Sequence, residues 1–111
     1  MIDQVHPNGL DAWLAAQGGR GVVLDVREPA EWRTAAVQPQ GFDLRTISMN
    51  EVPARIAELD PDQPVACLCH HGARSMRVAM YLAQNGFAHV ANIAGGIDAW
   101  SRERDPSVPR Y

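Results

Sequence analysis

Two short apolar runs, Gly21 to Val26 (GVVLDV) and Pro64 to Leu68 (PVACL), constrain this chain more than any other feature. Each is too short for a buried helix and is bounded by turn residues, so each is expected as a strand buried within a sheet. The second run leads through a loop into Arg74 to Asn85, where Met76, Val78, Ala79, Tyr81 and Leu82 fall along a helix closed by Gly86. Strand, loop and helix in succession are the signature of an α/β protein.

The alternation continues along the chain. Ile2 to His6 is expected as a short strand ended by Pro7-Asn8-Gly9, and Leu10 to Gln17 as a helix stopped by Gly18-Gly19. Pro29 to Arg33 suits a short helix with Pro29 in its first turn, and Asn50 to Leu59 a helix with Val52, Ile56 and Leu59 inward. His89 to Ile93 forms a further strand, and Gly95-Gly96 precede a helix from Ile97 to about Arg104. The expectation is an α/β fold with a small, mostly parallel sheet of about five strands flanked by helices. Ligands of such sheets bind beyond the carboxyl ends of the strands.

At 111 residues, with no internal repeat and no linker-like stretch, residues 1–111 are expected as one domain. Hydrophobic residues at 46% and charged residues at 21% argue against disorder. A net charge of -3 gives no footprint for nucleic acid, although all ten cations are arginine. The opening MIDQVHPNGLDAW has no positive n-region or apolar h-region, and no run is long enough for a bilayer, so no membrane contact and a cytoplasmic location are expected.

The chemistry concentrates after PVACL, in Cys69-His70-His71-Gly72-Ala73-Arg74-Ser75. Backbone N–H groups of a tight loop that Gly72 allows, joined by those of the helix start, would converge on the Cys69 sulfur and stabilise its thiolate. That makes a nucleophile available. Arg74 would then fork onto the oxygens of an anionic donor. Taken alone, Cys69 reads equally as a small buried residue and Arg74 as a solvated one; the conjunction of Cys, Gly and Arg in one loop favours the reactive reading.

That loop, with Cys, four residues, Arg and Ser, resembles the active-site loop of the rhodanese family. Asp25-Val26-Arg27-Glu28-Pro29-Ala30-Glu31-Trp32 is similar to the family's DVR-x-x-x-E-aromatic motif, and Gly95-Gly96-Ile97-Asp98-Ala99-Trp100 to its Gly-Gly-aliphatic-x-x-Trp motif. The tail from Asp105 to Tyr111 also resembles the ending of many single-domain members, so the likeness covers nearly the whole chain. It implies the rhodanese-like three-layer fold and a thiosulfate-type sulfurtransferase. Cys69 would attack the outer sulfur of thiosulfate or a related donor, carry it as a persulfide and pass it to cyanide or a thiol, including one on a partner protein. His70, His71, Gly72, Ala73, Arg74 and Ser75 would bind substrate, and no metal or organic cofactor is implied.

Other residues fit a supporting role. Asp25, near the end of its strand, would accept loop N–H groups or pair with a neighbouring arginine, and Arg27 with Glu31, four residues apart, would form a local ion pair. His70 and His71 are either solvated or cations that draw anionic donors. Zinc on Cys67, Cys69, His70 and His71 would compress four ligands into five residues and is not expected. In an extended strand the Cα atoms of Cys67 and Cys69 lie roughly 6.6 Å apart, which disfavours a disulfide. Cys67 is therefore most simply a core residue, with resolution of a persulfide as its alternative role. Trp13, Trp32 and Trp100 are expected in the core, and Gly95-Gly96 at a close backbone approach. Residues 33–48 depart from the family pattern, lacking its usual His and carrying Ser48 where Pro is common.

Two rival readings differ in class. A cysteine phosphatase or arsenate reductase also uses a Cys-to-Arg loop, but with five intervening residues where this chain has four. A non-catalytic binding or sulfur-carrier module would keep the fold, but inactive family members typically lack the cysteine present here as Cys69.

Overall fold

The computed structural model describes residues 2–18 and 20–111. Five strands form one sheet: β1 (Asp3–Val5), β2 (Val22–Asp25), β3 (Asp43–Thr46), β4 (Val65–Leu68) and β5 (Val90–Ile93), in the order β1-β5-β4-β2-β3. Every adjacent pair is parallel. The helices are α1 (Leu10–Ala16), α2 (Pro29–Thr34), α3 (Val52–Arg55), α4 (Ala73–Gln84) and α5 (Gly96–Glu103). No helix among the described residues is long and apolar enough to cross a membrane. Gly19, expected with Gly18 to stop the first helix, lies outside the described residues.

A parallel sheet must be covered on both faces, and alternate residues of each central strand enter different apolar clusters. Val23, Ala66, Leu68 and Ile93 pack with Leu10 and Leu14 of α1 and Ile97 and Trp100 of α5. Val22, Leu24, Val65 and Cys67 pack on the other face with Val52, Val78, Ala79 and Leu82. Three layers result: α1 and α5, the sheet, then α3 and α4. Trp100 is buried, with its ring edge-on to Phe42 at 5.9 Å, while Trp13 packs against the same cluster and donates to Asp3 Oδ2 at 2.9 Å.

One stretch differs from the expectation, and another takes a register the sequence left open. The single helix foreseen over 50–59 is instead a 3-10 turn at Met49–Glu51, the one-turn α3 and a second 3-10 turn at Ile56–Glu58. Pro53 has no amide hydrogen for the carbonyl of Met49, which separates the 3-10 turn from α3, where Pro53 sits in the first turn. The atypical segment after Trp32 supplies β3 at the sheet edge, in register Val22↔Asp43 through Asp25↔Thr46, with Val37 and Phe42 buried.

From β2 the chain moves outward to β3, and from β4 it moves the other way to β5. The crevice between the carboxyl ends of β2 and β4 is thus a topological switch point, the preferred ligand position in open parallel sheets. Asp25 and Leu68 are register partners there, and the Val26 amide donates to the Leu68 carbonyl at 2.9 Å. The Asp25–Glu31 segment and the Cys69 loop leave the sheet side by side.

Candidate active site

Cys69 directly follows β4 and is only 1% exposed. Gly72 takes φ of +108° as the N-cap of α4, which turns its amide back to donate to Cys69 Sγ at 3.0 Å. The Ser75 hydroxyl lies 3.3 Å from the same sulfur. Of the converging loop amides expected from the sequence, Gly72's is the one hydrogen-bonded to Sγ; the Ser75 side chain supplies the second polar contact. The amino end of twelve-residue α4 adds the favourable end of its dipole.

The outward carbonyls of the loop are held by α5. Ile97 N–H donates to Cys69 O at 2.8 Å, and Asp98 N–H to His70 O at 3.2 Å. This grip requires Gly96. At φ of +61°, a Cβ there would lie 2.4 Å from the His70 carbonyl oxygen and 2.5 Å from that of Cys69. The close backbone approach expected at Gly95-Gly96 is therefore an approach to the cysteine loop itself.

A line of four alternating charges borders the loop. Arg27, fully buried, binds both oxygens of Asp25, with Nη2–Oδ2 at 2.7 Å and Nε–Oδ1 at 2.9 Å, and also donates to Ala35 O at 2.8 Å. Glu31 takes the fork of Arg74, Nη1 to Oε1 at 2.7 Å and Nη2 to Oε2 at 2.9 Å. The Tyr111 hydroxyl joins the two pairs, accepting from Arg27 Nη1 at 2.9 Å and donating to Glu31 Oε2 at 2.6 Å. The Arg74 fork is the main cause that holds the Glu31 carboxyl down at about 2, against burial, and the Tyr111 hydrogen bond adds to it. Burial pushes the Tyr111 phenol up to about 12.

Two expectations are corrected by this network. Arg27 and Glu31 are not ion-paired side chain to side chain: Arg27 precedes α2 and turns back to Asp25, while Glu31, at the third position of the helix, completes a capping box with Glu28 and reaches Arg74. The i,i+4 rule applies to two residues within one helix, and only Glu31 is in it. Arg74 does not present an open fork for donor oxygens, because Glu31 occupies it.

The remaining loop residues lie as follows. His70 stacks on His71, centroids 4.0 Å apart, and on Tyr111 at 3.9 Å and 6°. Ala73 begins α4, and Ser75 is wholly buried beneath the sulfur. Cys67 is buried in the cluster facing α4, and that burial pushes its thiol well above the usual range. Both cysteines are free.

Asn92 and Tyr111 were not singled out from the sequence. Asn92 lies buried in β5, with Nδ2 donating to Gly72 O at 3.1 Å and to Gln4 Oε1 at 3.1 Å, and Oδ1 accepting from Ser75 at 2.5 Å. A polar amide inside the otherwise apolar run VANI was the available signal, since a buried amide needs partners. Tyr111 carried no comparable local signal.

Comparison with known proteins accords with this geometry. The chain is 36% identical over 108 residues to a sulfurtransferase of Allochromatium vinosum, covering 97% of this chain and 96% of that one. It is 34% identical over 96 residues to thiosulfate sulfurtransferase GlpE of Glaesserella parasuis, covering 86% and 84%. A 41% match over 90 residues to the chloroplastic rhodanese-like/PpiC domain-containing protein 12 of Arabidopsis thaliana covers 80% of this chain but only 30% of that longer protein. Among solved structures, a rhodanese-related protein from Thermoplasma volcanium superposes with a TM-score of 0.76 at 28% identity, over 98% of this chain and 99% of that one. The model of the rhodanese-like domain matches residues 7–103, and with these relatives it shows that the chain belongs to the rhodanese-like domain family.

Proposed function

We propose that this protein is a sulfurtransferase that carries sulfane sulfur as a persulfide on Cys69. The observation that carries the reading is the Cys69 sulfur itself, placed at the sheet's switch point with the Gly72 amide aimed at it from 3.0 Å. In the donor half-reaction the Cys69 thiolate attacks the outer sulfur of thiosulfate or a related donor. A bond forms between Sγ and that sulfur, the donor's own bond to it breaks, and the electron pair leaves with sulfite from thiosulfate or with the remaining group of a related donor. The charge moves from Sγ to the terminal persulfide sulfur. A thiolate or cyanide acceptor then attacks the terminal sulfur, and the electron pair of the breaking S–S bond restores the Cys69 thiolate. This is ping-pong covalent catalysis using the side chain alone.

In this reading residues 70–75 form the loop around Sγ, with the Arg74 guanidinium held by Glu31 instead of offered to the donor. The Gly72 amide and Ser75 hydroxyl support charge at Sγ, and His70 and His71 stack on one another in the same loop. Asp25, Arg27 and Glu31 are supports: they hold Arg74 and, through Tyr111, the side of the loop at His70. The acceptor is a small thiol or a thiol on a partner protein, and both free cysteines suit a reducing cytoplasm. The occupied Arg74 fork argues against a phosphatase, which needs that guanidinium for its phosphate.

The test is transfer of sulfur from thiosulfate to cyanide by wild type and by Cys69→Ser. Activity in wild type that vanishes in a folded Cys69→Ser variant supports the reading. Turnover retained without the Cys69 sulfur, or hydrolysis of an aryl phosphate in place of transfer, overturns it.

A further inference from the structure

We propose that Asn92 is a positioning residue for the Cys69 sulfur, acting through the one hydroxyl proton of Ser75. The inference rests on the reading of Cys69 as the reactive thiolate. Ser75 Oγ lies 3.3 Å from Cys69 Sγ and 2.5 Å from Asn92 Oδ1, and a serine hydroxyl has one proton to give. The orientation of Asn92 is fixed by its neighbours. The Gly72 carbonyl can only accept, so the amide nitrogen must face it, and the second hydrogen of that nitrogen goes to Gln4 Oε1. Gln4 is set in turn by donating its own Nε2 to Met76 Sδ at 3.2 Å. Asn92 therefore offers Ser75 only an acceptor.

Asn92 and Cys69 compete for a single proton. All three residues are buried, so a hydrogen bond given up at one acceptor is not cheaply replaced by solvent. While Sγ is a thiolate, its charge draws the hydroxyl. Once Sγ is bonded to a second sulfur, the charge sits on the terminal sulfur and Sγ is a weak acceptor, so the hydroxyl turns to Asn92 Oδ1. The amide thus restrains the free thiolate and favours the sulfur-loaded state. It touches neither donor nor acceptor.

The effect is read by the rate of Cys69 alkylation with iodoacetamide at neutral pH, followed by intact mass, in a Cys67→Ala background that leaves one thiol. Ser75→Ala removes the donated proton and should slow alkylation about tenfold, the scale of one hydrogen bond to a charged group. Asn92→Leu keeps the side-chain shape, removes the competing oxygen and should speed it severalfold. In the Ser75→Ala background Asn92→Leu should have no further effect, since the path between the two residues is gone. A role confined to packing or to holding the Gly72 carbonyl predicts slower alkylation in both backgrounds.

Should Asn92→Leu fail to fold, Asn92→Ala serves: it too removes the competing oxygen, so alkylation speeds when Ser75 is present and is unchanged in the Ser75→Ala background. The proposal is overturned if Asn92→Leu alkylates no faster than its parent, or if either Asn92 variant acts equally in both backgrounds. Alkylation needs no sulfur donor, so this outcome is separate from whether thiosulfate loads Cys69.

Discussion

Gly96→Ala perturbs the point where α5 grips the cysteine loop. The added methyl would sit 2.4 Å and 2.5 Å from the carbonyl oxygens of His70 and Cys69, both backbone atoms that cannot rotate aside. To reach an ordinary contact the two segments must part by close to an ångström, which gives up the Ile97–Cys69 and Asp98–His70 hydrogen bonds at about 1 kcal/mol each. Placing alanine at φ of +61° adds roughly 1 kcal/mol. The sum is about 3 kcal/mol, a large part of the 5–15 kcal/mol that holds a typical domain together. In urea denaturation this appears as a lowered midpoint at unchanged slope. Because the displaced carbonyl belongs to Cys69, the rate of sulfur loading should also fall by up to about 100-fold. Gly41→Ala is the control: its φ is +79° but nothing lies within 4 Å, so only the backbone cost of about 1 kcal/mol applies and loading is unchanged. A Gly96→Ala variant no less stable than Gly41→Ala, with an unaltered loading rate, would mean that the α5 contact at Gly96 does not hold the cysteine loop.

Other outcomes follow from the same geometry. Arg27→Leu leaves Asp25 charged and unpartnered in the interior and should cost about 3 to 5 kcal/mol by urea denaturation. Cys67→Ala should cost about 1 kcal/mol and leave steady-state transfer intact, because burial keeps that thiol protonated; lost turnover would give Cys67 a chemical role. Glu31, held at about 2 instead of its ordinary 4.5, contributes stability that is complete above the higher value and is lost as pH falls through the lower one. Glu31→Gln should therefore flatten the stability profile between those two values, by about 1 kcal/mol because the carboxylate is partly solvated. Tyr111→Phe keeps the stack on His70 but removes the bridge from Arg27 to Glu31, and should lower stability by about 1 kcal/mol in the same assay.

Strands β2 and β4 were legible because buried parallel strands declare themselves as short apolar runs: GVVLDV lies where expected, one residue wider than its strand at each end, and PVACL one residue wider at its start. The cysteine loop was legible because its residues are neighbours in sequence. What was not legible depends on groups that meet only in the folded chain. Spacing pairs Arg27 with Glu31, yet the helix starts at Pro29, so the guanidinium turns back to Asp25, the carboxylate goes to Arg74, and the two meet only through the Tyr111 hydroxyl. Asn92 and Tyr111 come to the loop from 17 and 41 residues beyond their partners Ser75 and His70. The edge strand β3 has a half-exposed, mixed-polarity pattern, DLRT, with no alternation to reveal it; its place comes from backbone pairing with β2.

The most direct measurement is the intact mass of the protein after incubation with thiosulfate and removal of the excess, with and without reductant. Persulfide loading on Cys69 shows as a gain of one sulfur atom that reductant reverses and that Cys69→Ser never shows. A folded wild-type protein that gains no sulfur from thiosulfate, mercaptopyruvate or a persulfide donor would contradict it.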